Sequence, residues 1–284
     1  MQFWITSLYN GISYGALLFL LSSGLSLIFG VMRIVNLAHG SFFLLGAYIA
    51  ISAIQWTGSW LLAAPAAALI IAAVGLVMER VFVRRLGFDV LRQVLLTVGF
   101  ALGFQQFALQ VWGGDVLQIK LPQSLDWSLR AFGMFFPVYR AFMIALVAVV
   151  GAALWWVIEH TRAGAIIRAT VDDSEMARLV GIDTSRVSMA VFGLGAGLAA
   201  LGGVIGGGFV GVYPGLDSEV LPLAFAVVII GGMGSLRGAL AGSLIVGMMD
   251  NVGKALFPEL AYFTLYAPMA VILAIKPSGL FGRD

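Results

Sequence analysis

The chain has 284 residues, of which 61% are hydrophobic and 11% are charged. Soluble domains carry roughly 25% charged residues, so this composition excludes an ordinary soluble protein and predicts an all-α, polytopic membrane protein. The absence of cysteine excludes disulfides, thiol catalysis and thiolate metal sites, and a net charge of +2 is too small to indicate nucleic-acid binding.

Nine apolar segments follow one another along the chain, each close to the ~17–25 residues that a bilayer crossing needs. They cover approximately residues 8–30, 40–56, 60–78, 93–111, 137–158, 188–208, 220–236, 238–253 and 261–276. Residues 33–41 could form either a loop between two spans or a break inside one membrane-embedded helix. We therefore expect eight to ten spans, one of them discontinuous.

Polar residues interrupt the apolar sequence at two places, namely Arg33, Asn36, His39 and Ser41 after the first segment, and Arg237 after the seventh. An arginine at the centre of a membrane helix costs roughly 2.5–3.5 kcal/mol, so such residues lie at the interface or line a hydrated cavity. The two arginines could be interfacial anchors, and Asn36 and His39 could cap a broken helix. The other interpretation is a transport path, for which Asn36, His39, Ser41 and Arg237 are the candidate residues.

Residues 161–187 form a charged stretch that needs water or a polar partner. Within it we predict one short helix from Asp172 to Val180, with Asp172 as N-cap and Glu175 three residues later, as in a capping box. Gly181 follows the helix, where glycine most easily adopts a left-handed conformation. The apolar face of this helix consists of Met176, Leu179 and Val180. We expect this face to dock into another protein, because the helix is too short to span a bilayer.

The distribution of basic residues predicts the orientation of the chain. If the basic loop 79–92 is cytoplasmic and the spans alternate, twelve of the 16 Lys and Arg residues fall inside and four outside. Residues 161–187 and the C-terminus then lie in the cytoplasm, and the N-terminus and the acidic segment 215–221 lie outside.

No catalytic constellation is recognisable in the sequence. The segment GMMDNVGKA (247–255) ends in Gly-Lys like a phosphate-binding loop, but its glycine spacing is wrong and Ala255 stands where Ser or Thr should bind Mg²⁺. We therefore expect no enzyme, no ATP hydrolysis by this chain, no bound cofactor and no metal site.

Three segments carry a family resemblance: GLSLIFGVMRIVNLAHGSFFLLGAYIA (24–50), EMARLVGID (175–183) and VIIGGMGSLRGALAGSLIVG (228–247). They resemble the permease subunits of branched-chain amino-acid ABC importers, and the LivH-type subunit more than its LivM-type partner. The resemblance implies a single permease domain over residues 1–284, in a bacterial inner membrane. It also implies a paired LivM-type permease, two cytoplasmic ATPases that use ATP and Mg²⁺, and a periplasmic substrate-binding protein.

The resemblance further implies that residues 159–187 are the loop that couples ATPase closure to the membrane spans. The residues that match the family motif of this loop are Gly164, Arg168, Ala169, Glu175, Ala177 and Gly181. Asp172, Met176, Leu179 and Val180 are expected to contribute through the caps and the docking face described above.

The cargo remains open, because related permeases are associated with urea, short amides and aromatic acids as well as branched-chain amino acids. A self-sufficient secondary transporter would require an ionisable relay within the spans, and the apolar segments contain hardly any acidic residue for one. A membrane enzyme would require a nucleophile with its base, or a metal cluster, and neither pattern is present.

Overall fold

A computed structural model of the chain describes residues 2–87, 89–131 and 133–282, and it confirms the predicted all-α, polytopic class. The helices of the described residues are α1 (Gln2–Met32), α2 (His39–Thr57), α3 (Trp60–Val81), α4 (Val90–Trp112), α5 (Val138–His160), α6 (Arg162–Asp172), α7 (Ser174–Leu179), α8 (Thr184–Gly207), α9 (Leu216–Gly231), α10 (Leu236–Leu256) and α11 (Ala261–Ile275). Short 3-10 helices occupy Val83–Leu86 and Pro258–Leu260. Strands β1 (Ser128–Ala131) and β2 (Met134–Pro137) pair antiparallel, with Ser128 opposite Pro137.

The nine longer helices coincide with the nine predicted apolar segments. Within the described residues, six helical segments are long and apolar enough to cross a membrane, and they contain α1, α2, α3, α4, α5 and α8. Helices α9 and α11 are shorter, with 16 and 15 residues. Helix α9 ends at Gly231 because Gly232 and Gly234 have positive φ angles of 102° and 78°, which turn the chain toward α10.

Helices α1, α2 and α8 form the centre of the bundle, whereas α4 and α5 lie at its periphery. The most apolar 18-residue windows of α1 and α8 are 83% and 78% buried, against 11% for α4. Small residues permit the central contacts, because a Cβ on Gly24 would lie 2.6 Å from the carbonyl oxygen of Gly195. Likewise, a Cβ on Gly46 would lie 2.5 Å from Cα of Ala200. Close backbone approach of this kind holds helices together in lipid, where the hydrophobic effect does not drive helix association.

The link between α1 and α2 is a buried interruption rather than a surface loop. Ile34, Asn36 and Ala38 are each at most 2% exposed, although no helix or strand covers them. Arg33 opens the link in a left-handed conformation with φ of 55°, which is uncommon for a residue other than glycine. Non-helical backbone is tolerated at membrane depth where protein surrounds it. Helix α2 therefore begins inside the bundle and not at its surface.

Candidate functional site

The turn that starts α2 is organised by Asn36. Its Oδ1 accepts a hydrogen bond from the backbone N–H of Ala38 at 3.1 Å, and its carbonyl oxygen accepts one from the N–H of His39 at 3.3 Å. These contacts correspond to the capping interpretation of the sequence. The other end of the amide is different, because Asn36 Nδ2 is buried and has no hydrogen-bond partner.

His39 and Ser41 are both buried, but they contact different helices. His39 Nε2 lies 2.8 Å from the carbonyl oxygen of Leu21 in α1. Leu21 stands eleven residues before the end of α1, or ~16 Å along it, so α2 begins beside the middle of α1. Ser41 Oγ instead donates to Oδ2 of Asp217 in α9 at 2.9 Å. Positions i and i+2 of a helix do not face each other, so these two side chains do not form one polar site.

Arg237 does not group with these three residues. Its side chain is 69% exposed, and its guanidinium lies 3.6 Å from Oε1 of Glu159 at the end of α5. Arg168 of α6 contacts the same carboxylate, at 3.7 Å from Oε2. Glu159 therefore joins the start of α10 to the 159–187 segment, and Arg237 belongs to that ionic cluster.

Asp217 is a buried polar residue that the sequence reasoning missed. Its segment was predicted only as an acidic stretch on the outer side, and the structure places Asp217 in the first turn of α9 with only 5% of the residue exposed. The backbone of Asp217 lies so close to α2 that a Cβ on Gly40 would be 2.6 Å from its carbonyl oxygen. The usable signal in the sequence was a carboxylate at the start of an apolar helix with no basic residue nearby.

The 159–187 segment contains two helices, and the predicted cap of the second was wrong by one residue. Helix α6 continues through Asp172, so Asp172 is its last residue rather than an N-cap. Asp173 caps α7 instead, and its Oδ1 accepts hydrogen bonds from the N–H groups of Glu175 at 3.0 Å and Met176 at 2.9 Å. Glu175 then stands two residues after the cap instead of three, so the predicted capping box is not formed.

The predicted end of the short helix is confirmed. Gly181 has a φ of 90°, the left-handed conformation expected of it. Its N–H donates to the carbonyl oxygen of Arg178, and the N–H of Ile182 donates to that of Ala177, both at 3.0 Å. This pair of hydrogen bonds is a Schellman motif, which terminates α7.

The apolar face of α7 is open to solvent in the isolated chain. Met176, Leu179 and Val180 are 56%, 77% and 70% exposed, whereas Ala177 on the other side is 3% exposed. Arg178 connects α7 to the start of α8, because its Nε donates a hydrogen bond to Thr184 Oγ1 at 2.6 Å. The helix therefore presents three apolar side chains from a backbone fixed at both ends.

Gly164 and Arg168 join α6 to α5. A Cβ on Gly164 would collide with the carbonyl oxygens of Val157 and Ile158, so only glycine permits this approach. Arg168 donates from Nη1 to the carbonyl oxygen of Ile158, in addition to its contact with Glu159. Two further residues of the family motif, Ala169 and Glu175, are exposed.

Comparison with known proteins adds the decisive observation. The family described as "Branched-chain amino acid transport system / permease component" matches residues 7–273, which is nearly the whole chain. The chain belongs to this permease family. The predicted membership is thus confirmed, and the chain is a multi-pass membrane permease.

Relatives of this permease share its whole length. A protein of Salmonella typhimurium, "High-affinity branched-chain amino acid transport system permease protein LivH", is 29% identical over 296 aligned positions, which cover 99% of this chain and 96% of the relative. The protein of Pseudomonas aeruginosa named "High-affinity branched-chain amino acid transport system permease protein BraD" is 28% identical, with the same coverage. The "Ribose import permease protein RbsC" of Escherichia coli is 28% identical over only 149 positions, covering 50% of this chain and 46% of the relative.

Proposed function

We propose that this permease is one subunit of an ATP-binding-cassette importer for branched-chain amino acids. With a second, related permease it forms the path through the inner membrane, a periplasmic binding protein delivers the cargo, and two cytoplasmic ATPases supply the energy. The observation that carries the proposal is the full-length similarity to relatives named as high-affinity branched-chain amino acid permeases. Urea, amides and aromatic acids are the alternative cargoes.

The α7 face is the proposed docking surface for an ATPase. The exposed apolar side chains of Met176, Leu179 and Val180 are typical of a surface that a partner protein covers. The N-cap at Asp173 and the Schellman motif at Gly181 make α7 stiff, so a displacement of the partner moves the helix as a unit.

The ionic cluster of Arg168, Glu159 and Arg237 supports a route from this surface into the bundle. Arg168 fixes α6 to the last turn of α5, and Arg237 connects the same carboxylate to α10. We therefore propose that Arg237 acts in coupling, while Asn36, His39 and Ser41 are the candidate path residues near the start of α2. The N-terminus is proposed to lie outside the cell and the C-terminus inside.

Purification of the permease from its native membrane tests this proposal. Two ATPases, a second permease and a binding protein are expected to co-purify, and a ligand screen on that binding protein identifies the cargo. Recovery of the permease without any ATPase would contradict the proposal.

A triple alanine variant tests the docking surface separately. Truncating Met176, Leu179 and Val180 removes most of the exposed apolar area of α7, so the yield of co-purified ATPase is expected to fall at least ~10-fold. The control variant truncates Leu95 and Leu102 of α4, which are 63% and 62% exposed on an apolar helix far along the chain from α7. An undiminished ATPase yield from the α7 variant would show that the docking surface lies elsewhere.

A further inference from the structure

Asp217 carries a buried carboxylate that no cation of the described residues neutralises. Its Oδ2 accepts the hydrogen bond of Ser41, but its Oδ1 is buried and has no partner. None of the ion pairs formed by the described residues includes it. Asp250, by contrast, is equally buried at 7% exposure and is paired with Lys254 at 2.8 Å. A carboxylate inside a membrane protein is costly unless it is paired, and it commonly marks a functional site.

A polar side chain of α4 lies close to the turn that precedes α9. The amide nitrogen of Gln105 in α4 lies 3.7 Å from the position that a Cβ would take on Gly215, two residues before Asp217. Asp217 therefore lies where α2 and the start of α9 meet, and its Oδ1 remains without a hydrogen-bond partner there.

We infer that Asp217, oriented by Ser41, binds the ammonium group of a zwitterionic cargo as it passes between α2 and α9. An ammonium group would give the unpaired Oδ1 a hydrogen-bond donor and would neutralise the charge of the carboxylate. The inference rests on the proposed function, because it requires an amino acid as cargo. It extends that function by naming the permease residue that recognises the charged end common to all such cargoes.

The contact with cargo requires α2 and the start of α9 to move apart. The close approach of Gly40 to the backbone of Asp217 leaves no room for a ligand between the two helices. The carboxylate thus becomes accessible in the part of the transport cycle in which α2 and the start of α9 separate. Before the helices separate, the hydrogen bond from Ser41 keeps the carboxylate of Asp217 oriented toward α2.

Substitution in the complete importer tests the assignment. The permease, its partner permease, the ATPases and the binding protein are reconstituted in liposomes, and uptake of radiolabelled leucine is measured together with ATP hydrolysis stimulated by the binding protein. Asp217→Asn preserves the shape of the side chain and removes its charge. We expect leucine uptake to fall at least ~10-fold, the effect of losing one charge-assisted hydrogen bond, while stimulated ATP hydrolysis persists.

Glu219→Gln is the matched control, because Glu219 stands in the same first turn of α9 and is exposed. It removes the same charge from the same helix end, and uptake should remain at the wild-type level. Wild-type uptake by Asp217→Asn would overturn the inference alone. Loss of assembly and of stimulated ATP hydrolysis in Asp217→Asn would assign a structural role and also overturn it. A wild-type complex that imports no amino acid would contradict the proposed function together with the inference.

Discussion

Gly164 is a residue whose missing side chain permits backbone contact between two helices. A Cβ at this position would collide with the carbonyl oxygens of Val157 and Ile158 in the last turn of α5. Those oxygens are part of the helix and cannot move without disturbing it. Replacing Gly164 with alanine is therefore expected to lower the free energy of unfolding by ~1–3 kcal/mol, the usual range for over-packing.

Thermal unfolding of the purified permease in detergent measures this effect. Gly99→Ala in α4 is the control, because a Cβ there has no neighbour within 4 Å. This control should be as stable as the wild type or more stable by up to ~1 kcal/mol, since alanine is the better helix former. Equal stability of Gly164→Ala and the wild type would contradict the close approach of α6 to α5.

The two ends of α7 show which single residues could be predicted from the sequence and which could not. Gly181 could be predicted because a left-handed residue after a helix favours glycine. The cap could not be assigned correctly between Asp172 and Asp173, because both are good caps. The choice depends on where α6 ends, and the structure places that end at Asp172. The burial of Asp217 results from the approach of α2 to α9, and the sequence gives only an indirect sign of it, a carboxylate at the start of an apolar helix.

At the scale of elements, the sequence predicted the helices but not their places in the bundle. All nine apolar segments became helices, with ends displaced by a few residues. Their depth in the bundle could not be predicted, because lipid-facing and core-facing side chains are both apolar and no periodicity distinguishes them. Small residues mark the packed faces in the structure, where Gly193 and Gly197 of α8 lie against α3.

The orientation of the helices leads to a labelling prediction. The chain has no cysteine, so a single introduced cysteine can be labelled without background. Leu179 in α7 and Trp127 before β1 are 77% and 53% exposed. In intact cells, a thiol reagent that cannot cross the membrane is expected to label Trp127→Cys but not Leu179→Cys, because the positive-inside rule places the two segments on opposite sides.

Permeabilised cells provide the control for this labelling, because both cysteines should then react. Labelling of Leu179→Cys in intact cells would reverse the proposed orientation. It would also exclude α7 from contact with a cytoplasmic ATPase.

Across the whole molecule, we propose that movement of a partner at one surface of the permease rearranges its central helices. The proposed docking surface lies on α7, and the segment that carries it is fixed to α5 through Gly164 and Arg168. Helix α5 in turn packs along α1, where a Cβ on Gly151 would lie 2.8 Å from the ring of Phe19. A continuous set of contacts thus leads from α7 to the central helix α1, whose carbonyl oxygen at Leu21 contacts His39 of α2.

We expect this permease to move amino acids only when partner ATPases drive it. The test is uptake of radiolabelled leucine into liposomes that contain the complete importer and the binding protein, with ATP present or absent in the compartment of the ATPases. We expect uptake against a gradient that requires ATP, the binding protein and the ATPases together, and none by the permease alone. Leucine uptake by the permease alone, without ATP, would instead show that it is a self-sufficient transporter.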